Sequence, residues 1–181
     1  MLTRPLLPGE YAVLGLLLSR PMHGYEMARY FDRDDLSEVC PIEQSMLYTY
    51  IRNIEDRGLV SWTEVRVGLR PPRKLHELNA AGREVIEAWL DEPVQRLREV
   101  RLEFLLKLYF LHTLDLLREQ ALLAKQIGIC EEYYDRLLGR ELATAGFARL
   151  VAASKRSGAE STLNWLREYA WQLEHGKEQL G

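Results

Sequence analysis

The chain has 181 residues, of which 24 are Lys or Arg and 27 are Asp or Glu, so its formal net charge is -3. With 47% hydrophobic and 28% charged residues, the composition is typical of a globular protein and excludes a disordered chain, a collagen-like repeat and a disulfide scaffold. The longest apolar run, Ala12–Leu18, is too short to span a membrane, and no signal-peptide cleavage site follows it. Cys40 and Cys130 lie far apart and fit a reducing compartment, so we expect a cytoplasmic protein with one large domain or two small ones.

Three helices are predicted in the first third of the chain. The first covers residues 10–18, and the second runs over residues 23–32. Residues 32–41 are charged and are expected to form a loop. A third helix is predicted over residues 42–57, with Gly58 as its C-terminal stop. Its apolar residues share one face at helical spacing: Leu47, Tyr50, Ile51 and Ile54.

A β-hairpin is predicted next. Residues 59–67 are rich in β-branched and aromatic side chains, which indicates a strand. Residues 68–72 include two prolines, which cannot donate backbone hydrogen bonds and therefore belong in the turn. Residues 73–78 are predicted to form the return strand, and Asn79 is the predicted N-cap of a helix over residues 80–90. This order of elements describes a winged helix-turn-helix.

The remainder of the chain is predicted to be helical. Residues 115–138 carry apolar side chains that alternate by four and three, a heptad-like pattern in which Gln120 would be a buried polar group that needs a partner. A further helix is expected over residues 141–155, a hinge at Ser157-Gly158, and a last helix over residues 162–177 with the same apolar spacing.

The two apolar stripes of this half are the candidate dimer interface. Two copies related by a dyad could address two half-sites of DNA, which a single winged helix cannot do. Packing within one subunit needs the same stripes, so the sequence leaves both alternatives open. The aromatic residues of this half are expected to be core or subunit contacts, with a pocket for a flat apolar ligand as the alternative. The candidate interface residues are Leu116, Leu123, Ile127, Cys130, Tyr134, Leu137, Leu163, Leu166 and Leu173.

Two sets of polar side chains are candidates for DNA binding. The outer face of the third helix can hydrogen-bond phosphates or base edges, although a solvated helix face is the plain alternative. The hairpin carries four cations and no acid between residues 65 and 76, which suits a phosphate backbone better than an ordinary surface loop. The helix residues are Gln44, Ser45, Tyr48, Thr49 and Arg52, and the hairpin residues are Arg66, Arg70, Arg73 and Lys74.

Catalytic and metal chemistry find little support in the sequence. The four histidines are scattered, the two cysteines have no nearby histidine, and no nucleophile, phosphate-loop or dinucleotide motif is present. We therefore expect no cofactor, no metal and no enzymatic activity. A small helical enzyme remains the least favoured alternative, and a winged-helix module for protein contacts is the stronger one.

Several short motifs follow one another in a fixed order over about a hundred residues. They are YAVLGLL (residues 11–17), PMHGYE (21–26), SMLY (45–48), IEDRGLV (54–60), RPPRK (70–74) and AGR (81–83). By their order and spacing, these motifs resemble the PadR family of bacterial transcriptional regulators. From residue 100 onward the chain is similar to the longer helical domain of some members, although that part is less specific.

The resemblance implies a homodimeric winged-helix protein, usually a repressor that a small effector releases from operator DNA. It implies that Tyr48 and its helix neighbours meet DNA, that Arg70, Arg73 and Lys74 lie on the wing, and that the C-terminal helices form the dimer. Phenolic acids and hydrophobic cationic drugs are the effector classes it implies. The chain departs from the family at Leu69, where a polar or basic residue is common, and at His76 and Asn79, where Tyr and Thr are common.

Taken together, the expected fold is mainly α with a small β-hairpin wing. An N-terminal winged helix-turn-helix, residues 1–92, is expected to bind double-stranded operator DNA. An all-helical C-terminal domain, residues 93–181, is expected to form the homodimer and is the candidate site for a small aromatic or hydrophobic effector. No contact with a membrane is expected.

Overall fold

The structure is a computed structural model that describes residues 4–33, 35–66 and 72–176. Its described elements form two compact units. The first unit ends at Asp91 and also includes Arg101–Leu114, and the second comprises Glu92–Val100 and the chain from Asp115 onward. The helices are α1 (Pro8–Ser19), α2 (Gly24–Arg33), α3 (Asp35–Val39), α4 (Gln44–Asp56), α5 (Ala80–Asp91), α6 (Leu97–Glu99), α7 (Leu105–Leu114), α8 (Leu116–Ala143) and α9 (Gly146–His175), and a π-helical turn (Val100–Phe104) precedes α7. The strands are β1 (Met22–His23), β2 (Val60–Val65) and β3 (Arg73–Leu78).

The predicted wing is present as an antiparallel hairpin. Strands β2 and β3 pair in register from Val60 with Leu78 to Val65 with Arg73, and β1 pairs with the other edge of β3, so the strand order is β1-β3-β2. The two-residue strand β1 was not predicted from the sequence. The predicted turn lies almost entirely outside the described residues, which resume at Pro72. The mainly α fold with a small β-hairpin wing is thus confirmed.

Local chemistry holds the end of α4 against the start of α5. Gly58 has a φ of 67°, the left-handed conformation that glycine adopts without strain, and it ends the helix as predicted. The side chain of Asn79 accepts a 2.9 Å hydrogen bond from the N–H of Gly82 and donates a 2.7 Å bond to the carbonyl of Gly58. A Cβ on Gly82 would lie 1.9 Å from the carbonyl oxygen of Leu59, so only glycine allows α5 to approach this closely.

A buried carboxylate anchors the start of α1. Glu10 is fully buried and accepts hydrogen bonds from the N–H of Leu7 at 2.8 Å, from Arg4 at 2.6 Å and from Asn53 of α4 at 2.8 Å. Burial alone would raise the pKa of Glu10, but these hydrogen bonds and the charge of Arg4 lower it below its ordinary value. The bond from Asn53 ties α1 to α4, whose apolar face is buried at Leu47, Ile51 and Ile54 as predicted.

One predicted loop contains a helix instead. Within residues 32–41, where the charged sequence predicted irregular structure, the short helix α3 covers Asp35–Val39. Leu36 is fully buried there. The burial of this apolar side chain favours the helical turn, because it offsets part of the conformational entropy that the turn loses.

The second unit is built on two long helices that pack against each other. Asp115 caps α8 by accepting hydrogen bonds from the N–H groups of Leu117 and Arg118. Helix α9 is continuous through Ser157-Gly158, so the predicted hinge is wrong. Gly158 faces open space, whereas Ala159 beside it is fully buried, and packing along α8 outweighs the weak helix propensity of one glycine.

The apolar stripes of α8 and α9 are used within one chain. Five of the nine candidate interface residues are buried there, namely Leu123, Cys130, Leu137, Leu163 and Leu166. The other four, Leu116, Ile127, Tyr134 and Leu173, are half-buried. The structure therefore favours, for the buried five, the alternative of packing within one subunit that the sequence had left open.

The polar side chains that are buried in this unit are not Gln120, which the sequence predicted. Gln120 is only half-buried, whereas Gln126 is buried and bonds both backbone groups of Val94: its oxygen accepts from the N–H at 2.8 Å and its nitrogen donates to the carbonyl at 3.1 Å. The buried carboxylate of Glu119 accepts a hydrogen bond from the hydroxyl of Tyr169. Burial and the nearby carboxylate raise the pKa of Tyr169, so its hydroxyl stays protonated and ties α9 to α8.

Two further properties concern the whole described chain. Cys40 and Cys130 are free thiols, both are buried, and burial raises the pKa of each. No helix among the described residues combines the length and the apolar character needed to cross a lipid bilayer.

Candidate nucleic-acid interface

The outer face of α4 carries the predicted polar side chains. Gln44, Ser45, Tyr48 and Arg52 are exposed, as helical spacing opposite the buried apolar face requires. Thr49 is half-buried, donates a 3.1 Å hydrogen bond to the carbonyl of Ser45 and accepts a 3.4 Å bond from Arg52. The hydroxyl of Thr49 thus already has partners within the helix, and the other four are accessible to a ligand.

The wing places its cations beside aromatic rings. Arg73 at the start of β3 is exposed, and its guanidinium lies 4.9 Å from the centroid of the Tyr25 ring in α2. The Tyr25 ring also stacks on His23, with 5.4 Å between the centroids. Arg66 is exposed just after β2. Arg70 lies outside the described residues.

An open cleft joins α4 to the wing, which we call the α4–wing cleft. It measures about 690 Å³ and lies between α4, β3 and the start of α2. Gly24 makes room for it, because a Cβ there would be 2.8 Å from the Tyr48 ring. Three cations, two phenols and one carboxylate give it a mixed but cation-rich lining. The lining residues are His23, Gly24, Tyr25, Tyr48, Ile51, Arg52, Glu55, Arg73, Lys74 and His76.

The carboxylate in this cleft comes from α4. Oε1 of Glu55 lies 2.9 Å from Nε2 of the buried His76, and Oε2 lies 3.3 Å from Nζ of Lys74. Residues 65–76 of the wing contain no acid, but the fold supplies the carboxylate of Glu55 from α4, about twenty positions earlier in the chain. Lys74 therefore differs from the other predicted cations, because its charge is partly compensated.

Sequence reasoning missed the aromatic residues of this surface and its carboxylate. The rings of Tyr25 and Trp62 contact the wing cations Arg73 and Lys74, His23 stacks on Tyr25, and Glu55 pairs with Lys74. Trp62 could have been found from the hairpin itself, since β2 pairs it with His76 and strand alternation puts Lys74 on the same face. The contacts of Tyr25 and Glu55 depend on how α2 and α4 pack on the sheet, for which the sequence has no local signal.

The chemistry that this surface can perform is recognition. Guanidinium groups and hydroxyls bind phosphate oxygens and base edges, and an exposed helix face of this size fits a major groove. In the part of the chain that the structure describes, no group of three or more His, Cys, Asp or Glu side chains could hold a metal ion.

Part of this chain is similar to two curated transcriptional regulators. Over 106 residues, 59% of this chain and 58% of the relative, the sequence is 27% identical to the negative transcriptional regulator PadR of Bacillus subtilis. Over 91 residues, 50% of this chain and 48% of the relative, it is 30% identical to a probable transcriptional regulator of Mycobacterium tuberculosis. The match thus spans about half the length of these relatives.

Solved structures of Bacillus subtilis PadR are similar to the chain over more of its length. One is a complex with operator DNA, with a TM-score of 0.49 over 94% of this chain and 99% of that one, at 22% sequence identity. Another is a complex with p-coumaric acid, with a TM-score of 0.44 over 93% of this chain and 99% of that one, also at 22% identity.

The family model locates the similarity in the first unit. Residues 13–88 match the model of the transcriptional regulator PadR-like family, a range that begins in α1 and ends in α5. It contains the helix and the wing that line the cleft. Over residues 13–88, less than half of its length, the chain is similar to the PadR-like family of transcriptional regulators.

Proposed function

We propose that the protein is a sequence-specific DNA-binding transcriptional regulator that acts as a dimeric repressor. The observation that carries this proposal is the α4–wing cleft, in which Arg52 and Arg73 stand with Tyr25 and Tyr48 on one exposed surface. Such a surface is more complementary to DNA, with its phosphate backbone and base edges, than to an apolar protein partner.

Each element of the surface has its own task in the proposal. The N-terminal half of α4, with Gln44, Ser45 and Tyr48, enters the major groove and meets base edges and flanking phosphates. Arg52, one turn further along, contacts a base edge or a phosphate from the cleft wall. The wing cations Arg66 and Arg73 bind the backbone and fix the orientation of α4. Arg70 is proposed as a third backbone contact of the wing on the strength of its place in the sequence.

A second copy of the chain is proposed to pack against the end of the second unit. Where α8 meets α9, large apolar side chains are exposed: 75% of Leu142, 78% of Phe147 and 62% of Leu150 are accessible, and Leu138 is exposed beside them. These residues lie within two helical turns of the connection between the helices. Covering them stabilises a dimer, and a dimer presents two α4 helices to two half-sites.

Repression and its release complete the proposal. The curated Bacillus subtilis relative is a negative regulator, which favours repression over activation. We propose that a small aromatic or hydrophobic effector binds the DNA-incompetent arrangement more tightly, since otherwise it could not shift the population. A cytoplasmic location follows from access to DNA.

The test is binding of the purified protein to its own upstream DNA and to random DNA of equal length, across a salt series, with the mass of the complex recorded. We expect selective binding by a dimer. Arg73→Gln should lower the slope of log K against log salt by about 0.9 on both DNAs, because one phosphate contact is lost. Arg52→Gln should weaken binding to the upstream DNA more than to random DNA if it touches a base edge.

Arg83→Gln is the matched control, because Arg83 is an exposed arginine on α5 that pairs with Glu87 and does not line the cleft. Its slope should equal that of the native chain. Absence of binding at low salt would overturn the proposal and favour a winged-helix module for protein contacts. Equal affinity for both DNAs would show that the protein binds DNA without sequence specificity.

A further inference from the structure

Lys74 on β3 is fixed by three neighbouring elements. Its Nζ lies 3.3 and 3.4 Å from the two carboxylate oxygens of Glu55 on α4. The same ammonium lies 4.0 Å from the centroid of the Trp62 ring on β2. Its backbone carbonyl lies 2.8 Å from Nδ1 of His23 on β1. A carboxylate and a ring face on the same ammonium reduce its attraction to a further anion, because its charge is already partly compensated.

Glu55 is in turn fixed by a buried side chain of the wing. His76, two positions after Lys74 and on the same face of β3, is buried, and its Nε2 lies 2.9 Å from Oε1 of Glu55. The Nδ1 of His76 has no hydrogen-bond partner in the described part of the chain, so the bond to Glu55 is the one the ring makes there. The carboxylate therefore spans two side chains of one strand and joins the wing to α4.

The two arginines of the cleft, unlike Lys74, have no carboxylate partner in the described part of the chain. Arg73 contacts the uncharged Tyr25 ring, and Arg52 donates to the hydroxyl of Thr49. Within residues 4–33, 35–66 and 72–176, neither guanidinium is paired with a carboxylate. Arg52 and Arg73 thus keep their full charge for a phosphate, whereas Lys74 does not.

We propose that Glu55 is a specificity-determining positioning residue: it withholds Lys74 from the phosphate backbone and sets the angle of the wing against α4. The inference rests on the proposed function. A free Lys74 would add affinity for every DNA sequence alike, since phosphate contacts carry no sequence information. By compensating that charge, Glu55 lowers binding to random DNA while the bond to His76 keeps the wing cation Arg73 in place.

A double-mutant cycle on the full chain measures this effect. Lys74→Gln alone should change the salt slope by less than about 0.3, because Lys74 makes no phosphate contact. In the Glu55→Gln background, the same Lys74→Gln change should lower the slope by about 0.9. Glu55→Gln alone should tighten binding to random DNA about fivefold at 0.15 M salt, the gain from one added phosphate contact, with a smaller gain on upstream DNA.

Arg73→Gln is the matched control, since Arg73 precedes Lys74 on the same strand and has no carboxylate partner among the described residues. It should lower the slope by about 0.9 in both backgrounds. If Lys74→Gln lowers the slope of the otherwise native chain as much as Arg73→Gln does, the inference is overturned while the proposed function stands. If the native chain does not select upstream DNA, both fail.

A measurement without DNA tests the contact itself. With 5-fluorotryptophan incorporated, the ¹⁹F signal of Trp62, assigned by its loss in Trp62→Phe, reports whether an ammonium lies over the ring. Lys74→Gln and Glu55→Gln should shift this signal to a similar extent, because both remove Lys74 from the ring. A shift in Lys74→Gln with none in Glu55→Gln would show that Trp62 alone holds Lys74, and it would overturn the role of Glu55.

Discussion

The two units of the chain present opposite chemistry to solvent. Around α4 the exposed groups include Arg52 and Arg73, which water solvates well and which gain from meeting an anion. At the connection of α8 and α9 the exposed groups are Leu142, Phe147 and Leu150, which lose free energy in water until another surface covers them. The first surface therefore suits a nucleic acid and the second suits a protein.

The largest effect is expected from charging the apolar end of the second unit. Leu142→Glu combined with Phe147→Glu should convert the proposed dimer to a monomer, because burying two carboxylates in an interface is unfavourable. Analytical ultracentrifugation should show half the native mass, with an unchanged helical circular dichroism signal. Leu117→Glu, at an equally exposed leucine near the start of α8, is the control and should leave the dimer intact. If the double variant remains a dimer, the apolar end of the second unit is not the dimer interface.

Substitution of one glycine in each unit is expected to change stability in opposite directions. Gly82→Ala should destabilise the first unit by about 3 kcal/mol, since its Cβ would meet the Leu59 carbonyl oxygen at 1.9 Å and α5 would have to move. Gly128→Ala in α8 meets nothing within 4 Å and should instead stabilise the second unit by about 0.5–1 kcal/mol. Urea unfolding followed by circular dichroism measures both. Equal effects of the two substitutions would contradict the packing described for Gly82.

A smaller loss is expected at the buried amide of the second unit. Gln126→Leu removes the partner of both backbone groups of the buried Val94, and we expect a destabilisation of about 2 kcal/mol. Gln120→Leu, at the half-buried position six residues earlier in α8, should cost less than about 0.5 kcal/mol. The comparison of their urea midpoints decides which glutamine is structural. A larger loss of unfolding free energy in Gln120→Leu than in Gln126→Leu would instead support the prediction that Gln120 is the buried polar group.

The smallest effect concerns acid stability. The pKa of Glu10 is lower in the folded chain than its ordinary value of 4.5. Ionised Glu10 therefore contributes fully to the free energy of unfolding above pH 4.5, and this contribution is lost as the pH falls through the folded pKa. Glu10→Gln should therefore flatten the decline in unfolding free energy below about pH 4.5, and it should lower stability at neutral pH. Urea unfolding at several pH values measures this. Glu84→Gln, an exposed carboxylate of α5, should leave the profile as it is in the native chain.

The parts of the fold that could be predicted are those with local causes. Gly58 ends α4 through its own backbone conformation, and Asn79 caps α5 through a bond to a neighbour three residues away. The hinge expected at Gly158 failed because contacts with α8, distant in sequence, hold the helix together. The aromatic residues of the second half were expected in the core or in a subunit contact, and two of them, Phe147 and Trp171, are exposed in the single chain, so the core is excluded for both and the spacing of aromatic residues alone does not reveal this.

The candidate site divides in the same way. The polar face of α4 could be predicted, since it is the complement of the buried face. The pairing of Lys74 with Glu55 could not, because it joins residues 19 positions apart across a helix and a strand. Position along the chain therefore identified the cations of the wing, but only the fold shows which of them has its charge compensated.

The burial of both thiols has a practical consequence. Cys40 and Cys130 are buried and their pKa values are raised, so little thiolate forms at neutral pH and alkylating or oxidising reagents should react slowly with the native chain. A cysteine introduced at an exposed position, such as Ser61 on the wing or Ser154 on α9, should then be the one site that takes a maleimide label. The native chain is in this sense already prepared for distance measurements by paired fluorophores or spin labels, without replacement of either natural cysteine.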